Sequence, residues 1–554
     1  MDFLTLFLIG AFCVFGLFYE YLACAAGLVL ILYLVVYARK HKTLTFRFNM
    51  ASVAVIAITA GYLLSIFYAI DKGAAVVGLV KFLPVLLFLT VLMQQNKPTD
   101  DYLKIIPPVA CVMTVVSAVL MQVPVLTNWF SVSGRLSGFF QYSNTFALFL
   151  LIALIITTTK EKLEKIDYLY VVVFVFGILY SGSRTVFVLS AVALLAVIIF
   201  GKNKKNKIIF LVAAVAATIT AVLYTAVSGN FDTIGRFLTL SLQESTFVGR
   251  FLYFIDALPV ILRHPFGLGY LGYYYMQPSF QTGVYSVKFV HNEFLQLLLD
   301  IGFVPTAIFA AAIIRSFLKK GGNLRKRLLL LIITIHICFD FDLQFVSIFM
   351  LFVMLLDYKD GQEKKVRFAA IPMVSVAAVL SVLSIYTGTA QAFSYFKKYD
   401  IAAKIYPWDS FAQVKILETA DLSPETEKRA DWVINHNEYI AAAYNKKALS
   451  AYYEGDFTKV IEYKQKAVDT FPFSYEIQEE YCHMLINGIY LYEQNNDPYS
   501  VKICQQELLK TVRDVQNADS RLSKLGKMID DQPVTELPDD ITEYVRQLNA
   551  AQHP

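Results

Sequence analysis

The sequence has few charged residues, few cysteines and no recognisable metal-binding spacing. Asp, Glu, Lys and Arg make up 17% of the 554 residues, whereas apolar residues make up 57%. A soluble globular chain carries about 25% charged residues, so this composition excludes a soluble enzyme and a disordered chain. Six cysteines are too few for a disulfide framework at this length, and no CxxC pair is present to suggest a zinc site.

The few charges are distributed unevenly along the chain. Residues 388–554 contain 18 basic and 26 acidic residues, as expected of a soluble domain, whereas residues 1–387 contain 31 basic and 18 acidic residues. The basic excess lies in an apolar region, where Lys and Arg usually set membrane topology, so it does not indicate a nucleic-acid surface. We therefore predict a membrane domain over 1–387 and a soluble domain over 388–554.

Thirteen apolar runs approach the roughly 17–25 residues that a helix needs to cross a bilayer. They are 3–19, 21–38, 50–70, 76–94, 103–123, 143–159, 167–182, 184–201, 207–228, 292–316, 327–343, 344–357 and 367–387. The predicted fold is all-α: a polytopic membrane protein of about 12–13 transmembrane helices, followed by a helical soluble domain.

The distribution of Lys and Arg between the loops predicts the orientation of these spans. With a cytoplasmic N-terminus, the inside loops carry 23 Lys and Arg residues, and the short outside loops carry only Lys72, Arg135 and Arg184. The predicted location is the cytoplasmic (inner) membrane, with the C-terminal domain outside the cytoplasm. A long outside loop over 229–291 is predicted to contain an amphipathic helix near 247–262, lying on the membrane or capping a cavity.

The C-terminal domain contains one segment with the length of a tetratricopeptide (TPR) repeat. Residues 439–472 place small or apolar residues on two helical stretches joined by a turn at Gly455-Asp456. Residues 474–492 and 499–526 are predicted to add another helical pair. A generic helical bundle is the alternative, and either module is typical of partner binding and not of catalysis.

Four ionisable residues lie at predicted span ends or loops on the outer side: Arg135, Arg184, Arg250 and His291. Such residues in a membrane domain are candidates for function. Arginines pair bidentately with phosphate oxygens, and three of them facing one compartment suit a diphosphate. A histidine can accept a proton near neutral pH.

Each candidate also has a structural interpretation. A lone arginine at a span end is often an interfacial anchor, and a lone histidine at a helix start is often a cap or a core hydrogen-bonding residue. Asn144 and Asn292 are candidates for helix N-caps, and Glu293 for a first-turn charge.

The order of these residues resembles one family. Arg135 to Asn144 is followed by Ser181 to Arg184, then by Arg250 with Pro265, Gly267 and Gly269, then by the block from His291 to Gly302. This arrangement resembles the O-antigen ligase and polymerase superfamily of bacterial membrane proteins over roughly residues 1–360. Several members carry extracytoplasmic TPR-like tails, which the C-terminal domain matches.

The resemblance implies a metal-independent glycosyltransferase of the membrane-embedded class C type, without a cofactor. Such a protein transfers a glycan from undecaprenyl diphosphate to an acceptor hydroxyl on a glycan, lipid or protein. The resemblance further implies that Arg184 and Arg250 bind the lipid diphosphate and that His291 acts as the base or positions the acceptor. Its second-rank, substrate-binding candidates are Arg135, Asn144, Asn292 and Glu293. No DxD or DD pair occurs in the loops predicted to be outside to hold a metal ion.

Three functions stay open at this point. The first is a ligase with a non-identical acceptor, and the second is a polymerase that joins lipid-linked repeat units. The third is a polysaccharide exporter or a membrane-anchored scaffold displaying the tail to a protein partner. An exporter should have charged or polar residues through its span interiors, whereas here the main exceptions to apolar spans are Lys81 near the middle of the fourth span and Asp340 and Asp342 near an outer end.

Overall fold

The computed structural model describes residues 1–200, 245–319, 323–367 and 369–552, together with isolated positions between 207 and 226. The chain is predominantly α-helical, which confirms the predicted fold class. The helices up to residue 200 are α1 (Phe3–Cys13), α2 (Glu20–His41), α3 (Met50–Ser65), α4 (Lys72–Met93), α5 (Thr99–Leu103), α6 (Ile106–Leu120), α7 (Thr127–Phe130), α8 (Ser143–Thr158), α9 (Lys165–Ser181) and α10 (Arg184–Phe200).

The later helices cover the predicted external loop, the last spans and the C-terminal region. They are α11 (Ser245–Arg263), α12 (Gly272–Phe280), α13 (Glu293–Ile301), α14 (Phe303–Leu318), α15 (Leu324–Ile337), α16 (Val346–Leu355), α17 (Ala370–Tyr395), α18 (Tyr399–Ile405), α19 (Ser410–Thr419), α20 (Pro424–His436), α21 (Ala441–Tyr453), α22 (Phe457–Thr470), α23 (Tyr475–Gln494), α24 (Pro498–Gln516) and α25 (Asp539–Gln552).

Two short antiparallel strand pairs interrupt the helices. Strand β1 (Thr43–Arg47) pairs with β4 (Glu363–Arg367), with Thr43 opposite Arg367. Strand β2 (Ser131–Val132) pairs with β3 (Arg135–Leu136) through a two-residue turn in which Ser133 and Gly134 both have positive φ. This turn type matches the natural twist of a hairpin, and it fixes the start of β3 at Arg135.

Among the described residues, five helical stretches are long and apolar enough to cross a membrane: Glu20–His41, Lys72–Met93, Thr99–Leu120 (α5 and α6 together), Ser245–Arg263 and Ile371–Tyr395. Six shorter apolar helices accompany them, including α1, α3 and α8. The predicted span over 207–228 and the neighbouring lysines fall in 201–244, of which only isolated residues are described.

Two predicted spans are not continuous helices over their predicted lengths. The span over 292–316 is two helices, because Gly302 adopts φ +80° and ψ −171° between α13 and α14. The span over 327–343 ends at Ile337, and residues 338–345 contain only a short 3₁₀ turn. Both predictions were wrong for one reason: apolar composition does not reveal where the backbone leaves the helix.

The chain divides into two compact units. The first comprises residues 1–63, 77–241 and 291–391, and the second comprises 64–76, 242–290 and 392–554. In the first unit every residue of α16 and every residue of α8 except Asn144 is buried. A helix that is apolar all round belongs in a core, so these two helices form the centre of the first unit.

The second unit contains the helices of the C-terminal region. Helices α21 and α22 are joined at Gly455, which adopts φ +76°, and Asp456 caps α22 by accepting a hydrogen bond from the Lys459 amide. Helices α22, α23, α24 and α25 share a core that includes Phe457, Leu485 and Leu508. The helix–turn–helix thus lies at the predicted residues, while its assignment as a TPR repeat and the domain boundary at residue 388 stay predictions.

A buried ion pair in the second unit provides a test of its stability. The Lys464 side chain is fully buried on α22, and its Nζ lies 2.6 Å from Glu480 Oε2 on α23. Burial lowers the pKa of Lys464. Glu480→Ala should destabilise residues 441–516 by about 1–3 kcal/mol, because it leaves the buried Lys464 charge without its partner. The loss should be smaller than for a fully buried ion pair, since Glu480 is partly exposed.

The measurement is hydrogen exchange of these helices in the full-length protein, which reports local opening free energies. Glu462→Ala is the control, since Glu462 is exposed on the same helix as Lys464. An equal loss of protection in both variants would contradict a specific role for the ion pair.

Candidate active site

His291 and Asp340 form a hydrogen-bonded pair in the first unit. His291 Nδ1 lies 3.2 Å from Asp340 Oδ1, and the two side chains are 18% and 2% exposed. His291 precedes α13 with φ +55°, a conformation that non-glycine residues rarely adopt. Asp340 lies in the non-helical segment after α15. A carboxylate can only accept here, so the imidazole donates from Nδ1 and Nε2 is the basic atom of the neutral ring.

The Asp340 carboxylate accepts three further hydrogen bonds. Tyr142 OH donates to Oδ1 at 2.8 Å, the Phe341 amide donates to Oδ1 at 3.0 Å, and Asn144 Nδ2 donates to Oδ2 at 2.7 Å. Phe341 also stacks on Tyr142 at 4.6 Å and contacts the His291 ring edge-on at 4.8 Å. The carboxylate is therefore fixed in position, and it fixes the orientation of the imidazole.

Arg135 connects this network to the Ser181–Arg184 motif (sequence SGSR). Its Nη2 donates to Asn144 Oδ1 at 2.7 Å, and its Nε donates to the Ser181 carbonyl oxygen at 2.7 Å. Asn144 thus joins Arg135 to Asp340 by using both ends of its amide. The suggestion that Asn144 caps a helix was wrong, because α8 begins one residue earlier at Ser143.

Arg184 begins α10 directly after the turn that Arg135 contacts. Gly182 ends α9 in the left-handed conformation, with φ +60°, and the Ser183 amide donates to Ser181 Oγ at 3.2 Å. Arg184, the first residue of α10, therefore follows Ser181 by three residues along the chain, and the Ser181 carbonyl oxygen is the one that accepts the hydrogen bond from Arg135. The structure thus brings the Arg135, Asn144, His291 and Asp340 side chains into one network, next to the turn leading to Arg184.

Asn292 and Glu293 hold the backbone around the pair. Asn292 caps α13, as predicted, by accepting a hydrogen bond from the Leu295 amide, and its Nδ2 donates to the Cys338 carbonyl oxygen at 2.9 Å. Glu293 is a first-turn charge, as predicted, and is 1% exposed. Its Oε1 accepts hydrogen bonds from the amides of Leu343 and Gln344 at 2.7 and 3.2 Å. Both residues fix the segment that carries Asp340.

Arg250 belongs to the second unit, not to the unit that contains His291 and Asp340. It lies on α11, which confirms the predicted helix near 247–262. One face of α11 is buried through Val248 and Leu252, and Phe251 and Ile255 are exposed on another face. The composition of α11 would also allow it to cross a membrane, so its predicted position on the membrane surface stays a prediction.

Asp256 is an anchor in the second unit that the sequence analysis did not single out. It lies on α11 and accepts hydrogen bonds from the amide and hydroxyl of Thr282 at 2.8 and 2.7 Å and from Tyr285 OH at 2.8 Å. Burial raises the pKa of Tyr285, which keeps this phenol protonated as a donor. The anchor ties the segment after α12 to the helix that carries Arg250.

Comparison with known proteins gives one finding about family. Residues 169–310 match the family model described as O-antigen ligase. This region is therefore similar to an O-antigen ligase domain. No curated protein and no solved structure matches the chain.

The matched region includes three of the four motifs from which the resemblance was inferred. Ser181–Arg184, Arg250 and the block from His291 to Gly302 lie within the match, whereas Arg135 and Asn144 precede it. Together with the apolar helices, the match supports a glycan-processing protein of the bacterial inner membrane. The match leaves the TPR-like nature of the tail a prediction.

Asp340 is a residue of this site that sequence reasoning did not select as a site candidate. The sequence Phe339-Asp340-Phe341-Asp342 places two carboxylates near the outer end of a predicted span, and this was the available signal. Asp342 Oδ1 accepts a hydrogen bond from Thr145 at 2.7 Å, and Asp342 Oδ2 lies 2.5 Å from His336 Nδ1. Within the described residues, no group of three or more His, Cys, Asp or Glu side chains is arranged to hold a metal ion.

The turn at Gly182 gives a prediction about the stability of the first unit. A Cβ atom at residue 182 would lie 3.3 Å from Arg135 Nε, and the left-handed conformation disfavours any residue with a side chain. Gly182→Ala should therefore cost about 1–2 kcal/mol. The measurement is thermal unfolding of the purified protein in detergent.

Gly10→Ala is the matched control. Gly10 lies inside α1, and a Cβ atom there would meet nothing within 4 Å. Alanine is the better helix former, so this variant should be as stable as the wild type or more stable. Equal melting temperatures for the two variants would show that the conformation of Gly182 is not required.

Proposed function

We propose that this protein transfers a glycan from undecaprenyl diphosphate to an acceptor hydroxyl on the outer face of the cytoplasmic membrane. In this reaction the acceptor oxygen forms a bond to the anomeric carbon, and the bond from that carbon to the diphosphate breaks. The acceptor proton goes to a base, and the bonding electrons leave with the diphosphate. The O-antigen ligase match supports the class of reaction, and the pairing of His291 with Asp340 carries the assignment of the base.

His291 is the proposed catalytic base. With Nδ1 held by Asp340, Nε2 has the lone pair that accepts the proton of the acceptor hydroxyl. The negative Asp340 also stabilises the imidazolium that forms during transfer, as the carboxylate does in a hydrolase triad. Tyr142 and Asn144 act as positioning residues in this proposal, because their hydrogen bonds keep the carboxylate in place.

The arginines are proposed to offset the charge on the departing diphosphate. Arg184 and Arg250 bind the diphosphate in this scheme, because guanidinium groups pair bidentately with phosphate oxygens and remain charged at physiological pH. Such donors stabilise a leaving group without a metal ion or cofactor. Arg135, Asn144, Asn292 and Glu293 are proposed to shape the substrate site, mainly by holding the segments that carry His291, Asp340 and Arg184.

The proposed orientation places the N-terminus in the cytoplasm and the tail outside it. The asymmetry of Lys and Arg between the loops supports this arrangement. The acceptor is then a glycan, lipid or protein in the extracytoplasmic space, and the tail is available to a protein partner there.

One observation weighs against the exporter alternative. Lys81, the main charge within a predicted span interior, is fully buried with its Nζ 3.7 Å from Glu20 Oε1 and 5.1 Å from the ring centre of Phe18. These contacts compensate the charge inside the first unit, so Lys81 has a structural explanation that does not involve a transport pathway.

Replacing His291 tests the proposed base. His291→Ala should lower the rate of glycan transfer about 10²–10⁴-fold, since general base catalysis contributes that much. The assay uses source cells lacking the native gene, and mass spectrometry measures both the accumulated undecaprenyl-diphosphate glycan and the transferred product. Product size in the same assay separates a ligase, which adds a preformed glycan, from a polymerase, which lengthens it.

The control is His436→Ala, because His436 is exposed in the tail and stacks on Trp432. It should keep wild-type activity. Normal transfer by His291→Ala at normal expression would refute the assignment of His291 as base.

Replacing Arg250 tests the diphosphate site separately. Arg250→Ala should lower transfer about 10²–10³-fold, the usual loss when one donor to developing charge is removed. Arg250→Lys should recover part of the activity because it keeps the charge but not the bidentate geometry.

Arg263→Ala is the matched control on the same helix, because Arg263 is exposed in the last turn of α11. Equal activity of Arg250→Ala and Arg263→Ala would refute the diphosphate role of Arg250.

A further inference from the structure

A pocket of about 370 Å³ lies in the first unit, where two apolar helices end. Tyr37 and His41 near the end of α2 line it, and so do Leu92 and Met93 at the end of α4. Both helices are long and apolar enough to cross a membrane, so the pocket lies at the ends of two candidate spans. The predicted topology places these ends on the cytoplasmic side. No residue of the proposed transfer site lines the pocket.

One face of the β1–β4 strand pair forms a wall of this pocket. Successive side chains of a strand point to opposite faces, so alternate residues share a face. The strand residues that line the pocket are Thr43, Thr45, Arg47, Glu363 and Lys365. Gln94 holds β1 in place, because its Oε1 accepts a hydrogen bond from the Thr45 amide and its Nε2 donates to the Thr45 carbonyl oxygen, both at 2.8 Å. The wall is therefore preformed, which lowers the entropy cost of binding.

The lining of the pocket has an excess of positive charge. Arg47, Lys359 and Lys365 are cationic, and Glu363 is the one carboxylate among the described lining residues. Glu363 Oε2 accepts a hydrogen bond from Arg47 Nη2 at 2.7 Å, and Glu363 Oε1 lies 3.7 Å from Lys365 Nζ. Burial and the charge of Arg47 lower the pKa of Lys359. An anion in the pocket would offset the repulsion between these cations.

The cationic side chains are accessible to a ligand. The side chains of Arg47 and Lys365 are 30% and 66% exposed, and Lys359 is also exposed. Within the described residues, Arg47 uses two of its five N–H groups, donating to the Lys359 carbonyl oxygen and to Glu363. The other N–H groups and the two ammonium groups can bind an anion with several acceptor oxygens, and a phosphate group has this chemistry.

The position of the pocket favours a phosphate group carried by a lipid. Met93 of α4 adds an apolar contact to the lining. Val29, Leu32 and Val36 are exposed at helical spacing on α2, in the turns before the pocket. Acyl chains can pack against such residues while the headgroup occupies a basic pocket at the helix ends.

We propose that this pocket binds the phosphate headgroup of an anionic membrane lipid. Its volume falls within the roughly 300–1,000 Å³ of small-molecule sites, which suits one headgroup. Arg47 donates to the phosphate oxygens, and Lys359 and Lys365 offset the negative charge. The headgroup then stabilises the contact between the strand after α2 and the strand after α16. This proposal does not depend on the proposed transfer reaction.

The test measures lipid binding by the full-length protein in detergent. Phosphatidylglycerol is the probe, zwitterionic phosphatidylcholine is the comparison, and native mass spectrometry gives the dissociation constant of the first bound lipid. The wild type should bind phosphatidylglycerol about tenfold more tightly. Lys365→Gln should weaken this binding about fivefold, which is the contribution of one basic residue near anionic lipid. Lys359→Gln, the second variant, should weaken it by a similar factor.

Lys364→Gln is the matched control. Lys364 is exposed on the same strand as Lys365, but it lies on the opposite face of the strand pair and does not line the pocket. It removes the same charge and should bind the lipid like the wild type. Without lipid, Lys364→Gln and Lys365→Gln should melt like the wild type, because both side chains are exposed. His291→Ala should bind the lipid normally, which separates this proposal from that of the base.

The proposal is overturned if the wild type binds the two lipids equally, or if Lys365→Gln and Lys359→Gln both bind phosphatidylglycerol like the wild type. Equal weakening by Lys364→Gln and Lys365→Gln would also overturn it, because general surface charge would then explain the binding. Inorganic phosphate is the counter-probe. Displacement of the lipid by inorganic phosphate at equal concentration would overturn the assignment to a lipid. Normal transfer by His291→Ala would refute the proposed base while leaving a measured lipid affinity intact.

Discussion

The hydrogen bonds to the Asp340 carboxylate are the constraint on which the first unit's site depends. A carboxylate that is 2% exposed is costly unless donors surround it. Here the donors come from Tyr142 just before α8 and Asn144 in its first turn, from His291 before α13 and from the adjacent amide of Phe341. One buried charge therefore holds three distant chain segments in a fixed geometry, and the orientation of the imidazole follows from it.

The non-helical segment 338–345 makes this arrangement possible. Backbone that leaves a helix among apolar spans must find hydrogen-bond partners inside the protein. Glu293 supplies acceptors for the amides of Leu343 and Gln344, and Asn292 donates to the carbonyl of Cys338. Asn292 and Glu293, which follow His291, thus hold the segment that carries Asp340. The positions of His291 and Asp340 therefore depend on each other.

Both units compensate buried charged side chains with nearby polar groups. In the first unit the scarce buried charges are compensated locally, as at Lys81 with Glu20 and at Asp342 with Thr145. In the second unit the buried Lys464 is compensated by Glu480. A buried charge without such a partner would destabilise the fold, because the cost of removing it from water would not be offset.

The sequence alone determined the helical class, the membrane composition, the O-antigen ligase resemblance and the residues His291, Arg184 and Arg250 as candidates. These features are local: periodicity, composition and short motifs can be read without knowing the fold. The helix ends at Gly302 and Ile337 were missed, because apolar runs continue across a backbone break. Only the tertiary structure showed Asp340 as the partner of His291 and placed Arg250 in a separate unit. Hydrogen-bond partners 49 residues apart are chosen by packing, and packing is not encoded in any short stretch of sequence.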